Sequence, residues 1–460
     1  MTGETPATGE DGAVPADDGP STGGEPVAGT QGWRASLREG RDALEPQHRF
    51  LLYVLGATSF FDGYDRGILL VALKQVRHTF HLSASAASWY VGLFHLGALP
   101  ALVLTRRADK VGRRKLLIGA VIGYTIATGL TALAPNALAY AGCQFVAKLF
   151  LNAEAAIVWT MAAEELPAKA RGFGFGWLSM NGALGVGFGA VLFGGVFTPL
   201  GISWRWLYVV GLPPLATVAW LRRSLPESRR FTEARDAGRL ERDWRAVFRG
   251  DHRHWLLLML ATTFLAEVAT QAGTFTVDFL QTGRGLSAST ANFMLVAAGL
   301  PGIPIMVLAG SLSDKIGRRV VGCGFVLFGF LGALGFFWLP GGVPILVVFM
   351  MITLVGQLGG WPVLSSYGAE LFPTSVRSQA VAMTTVSRVA GQSASFGLAG
   401  LILAVSHQSQ PLTATLLGAG PLGAIIIFWV SFPDTHGREL EDIAESRVAA
   451  ESGNVAAIPP

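Results

Sequence analysis

The sequence predicts an all-α integral membrane protein, with twelve transmembrane helices in two pseudo-symmetric six-helix halves. Three observations predict it. Charged residues are only 14% of the 460 positions and hydrophobic ones 51%, whereas a soluble domain carries about 25% charge. Twelve apolar stretches each approach the ~20 residues that a helix needs to cross a bilayer core. Three short loop signatures occur twice, in the same order and at a nearly constant separation.

Low charge follows if the outside of a bundle faces lipid. A net charge of +4 offers no basic footprint for nucleic acid. Cys143 and Cys323 lie in apolar runs and read as small packing residues, since a disulfide framework needs more cysteines in polar segments. No nucleophile constellation, metal cluster or phosphate cradle stands out, so the expectation is a protein that is not an enzyme and takes no cofactor or metal. Residues 1–47 are rich in Gly, Pro, Ala, Thr, Asp and Glu without an apolar stretch. This predicts a disordered tail, not a signal peptide. The residues from about Ser446 onward read the same way.

The apolar stretches fall at 50–74, 86–105, 116–134, 138–161, 173–196 and 204–221, here spans 1 to 6. A charged stretch, 222–254, follows. Spans 7 to 12 are 255–280, 289–312, 320–339, 343–366, 379–405 and 411–431. The expected organisation is therefore a tail 1–47, a half 48–221, a linker 222–254, a second half 255–431 and a tail 432–460. Basic residues gather on the cytoplasmic side of membrane proteins. With both ends cytoplasmic, the tails, linker and inner loops hold 28 of the 35 Lys and Arg. The outer loops then hold only Lys74, Arg77, Arg205 and Arg284.

The duplication is legible in the loops. Asp109-Lys-Val-Gly-Arg113-Arg114 follows span 2, and Asp314-Lys-Ile-Gly-Arg318-Arg319 follows span 8. Glu164-x-x-Pro-x-x-x-Arg171 follows span 4, and Glu370-x-x-Pro-x-x-x-Arg377 follows span 10. Pro226-Glu-Ser-Arg229 follows span 6, and Pro433-Asp-Thr-His-Gly-Arg438 follows span 12. Each motif sets carboxylates and guanidinium groups at an inner helix end, where a carboxylate favours the unsatisfied N–H groups of a neighbouring helix. Pairs of this kind can hold an inner gate shut in one state and part in another. Head-group anchoring is the plainer alternative, but it needs no fixed spacing.

From about residue 48 to 443 the chain resembles the major facilitator superfamily, whose most diagnostic motif the D-K-x-G-R-R loops look like. The usual leading Gly is present as Gly310, but Thr105 stands in the first copy. The E-x-x-P-x-x-x-R pairs, "PESRRF" and "PDTHGRELEDI" look like the sugar-porter branch. "FDGYD" at 61–65 resembles the first helix of proton-coupled aromatic-acid symporters. The resemblance implies that helices 1, 4, 7 and 10 line a central cavity and that 3, 6, 9 and 12 face lipid.

Ionisable groups at membrane depth mark function, because each is costly unless it faces a cavity or a partner. Spans 3, 6, 9 and 12 carry none at mid-depth. Span 1 carries Asp62, Asp65 and Arg66, span 4 Lys148 and Glu154, span 7 Glu267 and span 11 Arg388. At ~1.5 Å of rise per residue, Asp65 and Lys148 both fall roughly 22 Å from the inner helix ends. The other carboxylates and Arg388 fall roughly 14 to 18 Å in. The resemblance also implies that the Asp of "GYD" faces a basic residue of the fourth helix, here Asp65 and Lys148, with Lys where Arg is usual. The expected proton-coupling residues are Asp65, Lys148, Asp62, Glu154 and Glu267. Expected to contact solute are Arg388, Asn152, Gln271, Gln357, Trp361 and Tyr367. Asp62 and Arg66, four apart, can instead neutralise one another, and Glu154 and Arg388 can serve packing or charge balance. His95 reads as a packing residue, and Asp278 as an acid near the outer end of span 7 that reaches water.

The expected function is secondary transport of a small organic solute by alternating access. Proton-coupled symport of an organic acid, aromatic acids included, leads, because carboxylates at mid-depth can exchange a proton and Arg388 offers a planar fork for a carboxylate. A sugar or polyol symporter is the first alternative, a proton-coupled exporter the second, and a non-transporting nutrient sensor a third of another class. The stretch Gly185-Val-Gly-Phe-Gly-Ala190 lacks the Pro that many exporters carry in helix 5. The expected partners are the solute, protons and lipid, with the monomer as the working unit.

Overall fold

The computed structural model describes residues 44–111, 113–167, 171–221, 248, 252–370, 372 and 374–432. Most of the expected tails and of the linker lies outside the described residues. Among the described residues the chain is helical, without a strand.

Twelve helices follow in order. The first six are α1 (Pro46–Thr79), α2 (Ala84–His95 continuing as Ala98–Val111), α3 (Arg113–Ala132), α4 (Ala137–Glu165), α5 (Arg171–Leu192, ending in a wider turn, Phe193–Phe197) and α6 (Arg205–Leu221). In the second half come α7 (His252–Ala266, a tight turn Glu267–Ala269, then Thr270–Thr274 and Thr276–Thr282), α8 (Ala288–Gly299 and Gly302–Ile316) and α9 (Arg318–Trp338). The last three are α10 (Val343–Glu370), α11 (Thr374–Val405) and α12 (Gln410–Leu417 and Ala419–Ser431). Four helix starts carry side-chain caps: Ser83, Asn136, Ser287 and Ser409 each accept a backbone N–H from the first turn of α2, α4, α8 and α12. Ten of the helical stretches are long and apolar enough to cross a membrane by length and composition. Of the other two, α1 is longer than its apolar stretch and carries several charges, while α6 has 17 residues.

The lipid side shows as apolar rows at helical spacing. Ile122, Ile126 and Leu130 on α3, Leu327 and Leu331 on α9, and Ile426 and Val430 on α12 are exposed. Such rows face hydrocarbon without cost.

Within the first half, α1 packs on α5 through glycine. A Cβ on Gly63 would collide with the carbonyl oxygen of Gly182, and one on Gly185 with that of Phe60. Small residues let backbones of membrane helices approach closely. The same contact recurs in the second half, where a Cβ on Gly391 of α11 would meet the carbonyl oxygen of Phe264 on α7. Gly185→Val is therefore expected to push α1 from α5 and to cost about 1–3 kcal/mol or more. Gly187→Ala, at a position with open space around it, is the control. Thermal unfolding of the two purified variants checks this, and equal melting temperatures would remove the close-approach argument.

Candidate functional site

The faces of α1 are set by its neighbours. Gly56, Gly63 and Gly67 face α5. Tyr64 donates its hydroxyl to the carbonyl oxygen of Leu207 on α6, at 2.6 Å. Asp65 turns to α4, where Lys148 Nζ lies 3.5 Å from Asp65 Oδ2. Asp65 is 3% exposed, Lys148 8%, and the Oδ1 of Asp65 accepts no hydrogen bond. The carboxylate thus holds one cation and keeps one bare oxygen at mid-depth. Asp62 on α1 and Glu154 on α4 are also buried.

Asn152 Nδ2 donates to the carbonyl of Lys148 at 2.7 Å, which ties it to its own helix. His95 accepts the packing role: its Nδ1 lies 2.8 Å from Val91 O, and its ring stacks between Phe94 and Phe396 of α11. Cys143 and Cys323 are free thiols, and Cys323 is buried.

In the second half Glu267 sits in the tight turn that interrupts α7. Its Oε2 accepts from Thr270 Oγ1 at 2.8 Å and from Gln392 Nε2 of α11 at 3.0 Å. Arg388 Nη1 lies 4.0 Å from its Oε1. Gln271 is buried, and its backbone N–H donates to Ser395 Oγ at 3.0 Å. Gln357 of α10 is exposed, with its amide beside Gly273 of α7. Trp361 and Tyr367 belong to α10, but their side chains lie outside the described residues.

Most of the expected gate shares that condition. The backbones of Asp109, Arg113, Arg114, Glu164, Arg171, Asp314, Glu370 and Arg377 are helical; their side chains lie outside the described residues. Of the gate arginines described, Arg318 opens α9 and Arg319 donates to the carbonyl of Trp429 near the end of α12, its guanidinium 5.6 Å from that ring's centre.

The end of the bundle expected to face outward differs from the sequence reading. Asp278 does not reach water: it is 0% exposed. Arg77 Nη1 of α1 lies 2.5 Å from its Oδ2, and Gln410 Nε2 of α12 donates to the same oxygen at 2.8 Å. Around this triad Lys74 Nζ donates to the carbonyl of Gln281 at 3.1 Å and Gln75 Nε2 to its Oε1 at 2.9 Å. Ser85 of α2 bonds Gln408 and the carbonyl of Gly400. The two halves are thus joined at the end where α1 and α7 finish. Helix α1 runs to Thr79, past the apolar stretch, so Lys74 and Arg77 are helical residues, not loop charges.

A membrane-embedded bundle of two six-helix halves, with charge pairs at its centre and one end sealed, defines a multi-pass secondary transporter. A family model described as Major Facilitator Superfamily matches residues 55–395 and 259–454, and the chain belongs to that family. It is similar to the niacin transporter NiaP of Acinetobacter baylyi, 24% identical over 86% of this chain and 96% of that protein. It is also similar to the gentisate transporter of Corynebacterium glutamicum, 25% identical over 83% of this chain and 88% of that one. Among solved structures it shares its fold with the xylose transporter XylE from E. coli in an inward open conformation, at a TM-score of 0.69 and 16% identity, over 86% of this chain and 98% of that one. The chain is a transporter of a small organic solute.

Proposed function

We propose that the protein is a proton-coupled symporter of a small organic acid in the cytoplasmic membrane, working as a monomer with both ends in the cytoplasm. One observation carries this reading: the buried Asp65–Lys148 pair between α1 and α4, with one carboxylate oxygen bare. The cation beside it favours the ionised carboxylate, so a proton arriving on that carboxylate ends the attraction between α1 and α4. That converts proton binding into release of a helix contact at the depth where transporters hold their solute. Similarity to transporters of niacin and gentisate favours an acid as the cargo. Lys148, Asp62, Glu154 and Glu267 support the proton path in this reading, and Arg388 with Asn152, Gln271, Gln357, Trp361 and Tyr367 the solute. Asp109, Arg113, Arg114, Glu164, Arg171, Asp314, Arg318, Arg319, Glu370 and Arg377 form the inner gate. The unequal placement of Lys and Arg supports the orientation, and the halves are 48–221 and 255–431 around the linker 222–254.

Thermal unfolding of the purified protein tests the cargo, since a ligand stabilises the state that binds it. Nicotinate, gentisate and cis,cis-muconate are the acids, and D-xylose represents sugars. A rise in melting temperature with at least one acid and none with xylose is expected. A rise with xylose alone overturns the proposal in favour of a sugar carrier.

A further inference from the structure

Arg66 is exposed, although it sits in the middle of α1 and of the membrane. An arginine at that depth faces a water-filled cavity or a partner, not lipid. The geometry of α1 says which. Arg66 and Arg77 are eleven residues apart on one unbroken helix, which is three turns and about 20° of rotation. They therefore share a face, and Arg77 reaches across to Asp278 of the other half. Arg66 points the same way, about 16 Å closer to the cytoplasm, into the space between the halves. Its Nε donates to the backbone carbonyl of Asp62 at 3.2 Å. No carboxylate among the described residues lies in ion-pair contact with it. The other two cations at this depth each have a carboxylate nearby, Lys148 at 3.5 Å from Asp65 and Arg388 at 4.0 Å from Glu267.

The duplication gives a second, independent argument. Gly185 of α5 meets Phe60 as Gly391 of α11 meets Phe264. Three residues earlier on each helix stand Gly182 and Arg388. Gly182 leaves its side-chain space empty, and Arg66 Nη2 lies 3.8 Å from where that side chain would begin. Both halves thus bring a guanidinium to the corresponding place, one from α11 and one from α1. The one from α11 already has a carboxylate of its own half.

We propose that Arg66 is the specificity-determining residue of the site, its terminal nitrogens taking the carboxylate of the solute. This rests on the organic-acid reading above. A guanidinium that presents two parallel N–H groups to a cavity matches the two oxygens of a carboxylate. An amide of the same ring offers one acceptor and no charge, so this residue is what separates an acid from its amide. The anchor lies on α1, one turn from Asp62 and next to Asp65, so solute charge and the proton-bearing carboxylates act on the same helix.

Thermal unfolding of the full-length purified protein with nicotinate, gentisate and nicotinamide tests it. Native protein is expected to be stabilised by at least one acid. Arg66→Gln should weaken that acid by about 10- to 100-fold, the range for a hydrogen bond to a charged group, while nicotinamide affinity stays within about twofold. Arg66→Lys keeps the charge without the fork and should fall between, and it carries the test if Arg66→Gln does not fold. Unchanged acid affinity in the Arg66 variants, with loss in Arg388→Gln, would place the carboxylate on α11 and overturn the proposal. Equal loss of acid and amide would make Arg66 a shaping residue and overturn it too. Stabilisation of native protein by no acid would defeat the organic-acid reading itself, a result distinct from both.

Discussion

Asp65→Asn is expected to abolish proton-driven accumulation of solute while preserving solute exchange. The native carboxylate is 3.5 Å from Lys148 Nζ, with its second oxygen bare. Asparagine has the shape of the protonated acid and cannot release a proton, so the attraction that the proton switches is permanently off. In proteoliposomes with an imposed pH gradient, the inside-to-outside solute ratio should collapse to unity. Counterflow, which needs no net proton movement, should stay within a few-fold of native. Removing one partner of a buried pair leaves the other charge uncompensated, which costs about 3–5 kcal/mol, so Asp65→Asn and Lys148→Met should both lower the melting temperature. Asp62, buried three positions earlier on α1, is the rival carrier. If Asp62→Asn loses accumulation and Asp65→Asn keeps it, the proton belongs to Asp62. Accumulation surviving in both would move the coupling to Glu154 or Glu267.

The bundle was legible because lipid makes its rules simple. Backbone groups in hydrocarbon must be satisfied within a helix, so twelve apolar stretches are twelve helices, and repeated loop motifs expose the two halves. Positions along the axis were equally legible: residue count fixes depth, and Asp65 and Lys148 meet as depth and opposite charge suggest. What the sequence hid lies around each helix and across the gap. Arg77 stands beyond the apolar stretch of α1 and reads as a loop charge, because hydropathy ends where lipid ends, whereas hydrogen bonding carries the helix on to Thr79. Asp278 near a helix end reads as wet, but its cover comes from α1 and α12, far away in the chain. A spacing of four lets Arg66 and Asp62 neutralise one another, but it does not reveal that Arg66 Nε donates to the backbone carbonyl of Asp62. Thr270 and Gln392 carried no signal, since a neutral side chain in an apolar helix is common. Only the fold shows that both reach Glu267.

The second large effect is expected at the outer seal. Asp278 is fully buried and joins three helices: α7 supplies the carboxylate, α1 the guanidinium and α12 the amide. Arg77 belongs to one half and Asp278 and Gln410 to the other, so opening the outer side must break the ion pair. The pair therefore weights the equilibrium toward the state sealed outside, and a conformational bias is a difference in free energy between states. Asp278→Asn keeps the shape and the hydrogen bond from Gln410 and removes the charge. Arg77, 16% exposed at its side chain, is then free to turn to water. With charged hydrogen bonds contributing about 1.5–3 kcal/mol, the outward-open population should rise by roughly 10- to 100-fold. Thr274→Cys, one turn nearer the cavity on α7, reports it in a background with Cys143 and Cys323 replaced by serine. A membrane-impermeant thiol reagent added outside should label Thr274→Cys faster by that factor when Asp278→Asn is present. Turnover should slow, because the return to the inward state loses its latch. Adding Arg77→Gln to Asp278→Asn should change little more, since residues acting as one contact are not additive. An unchanged labelling rate in Asp278→Asn would mean that the glutamine contacts and the Ser85 bonds hold the outer end shut without the charge pair.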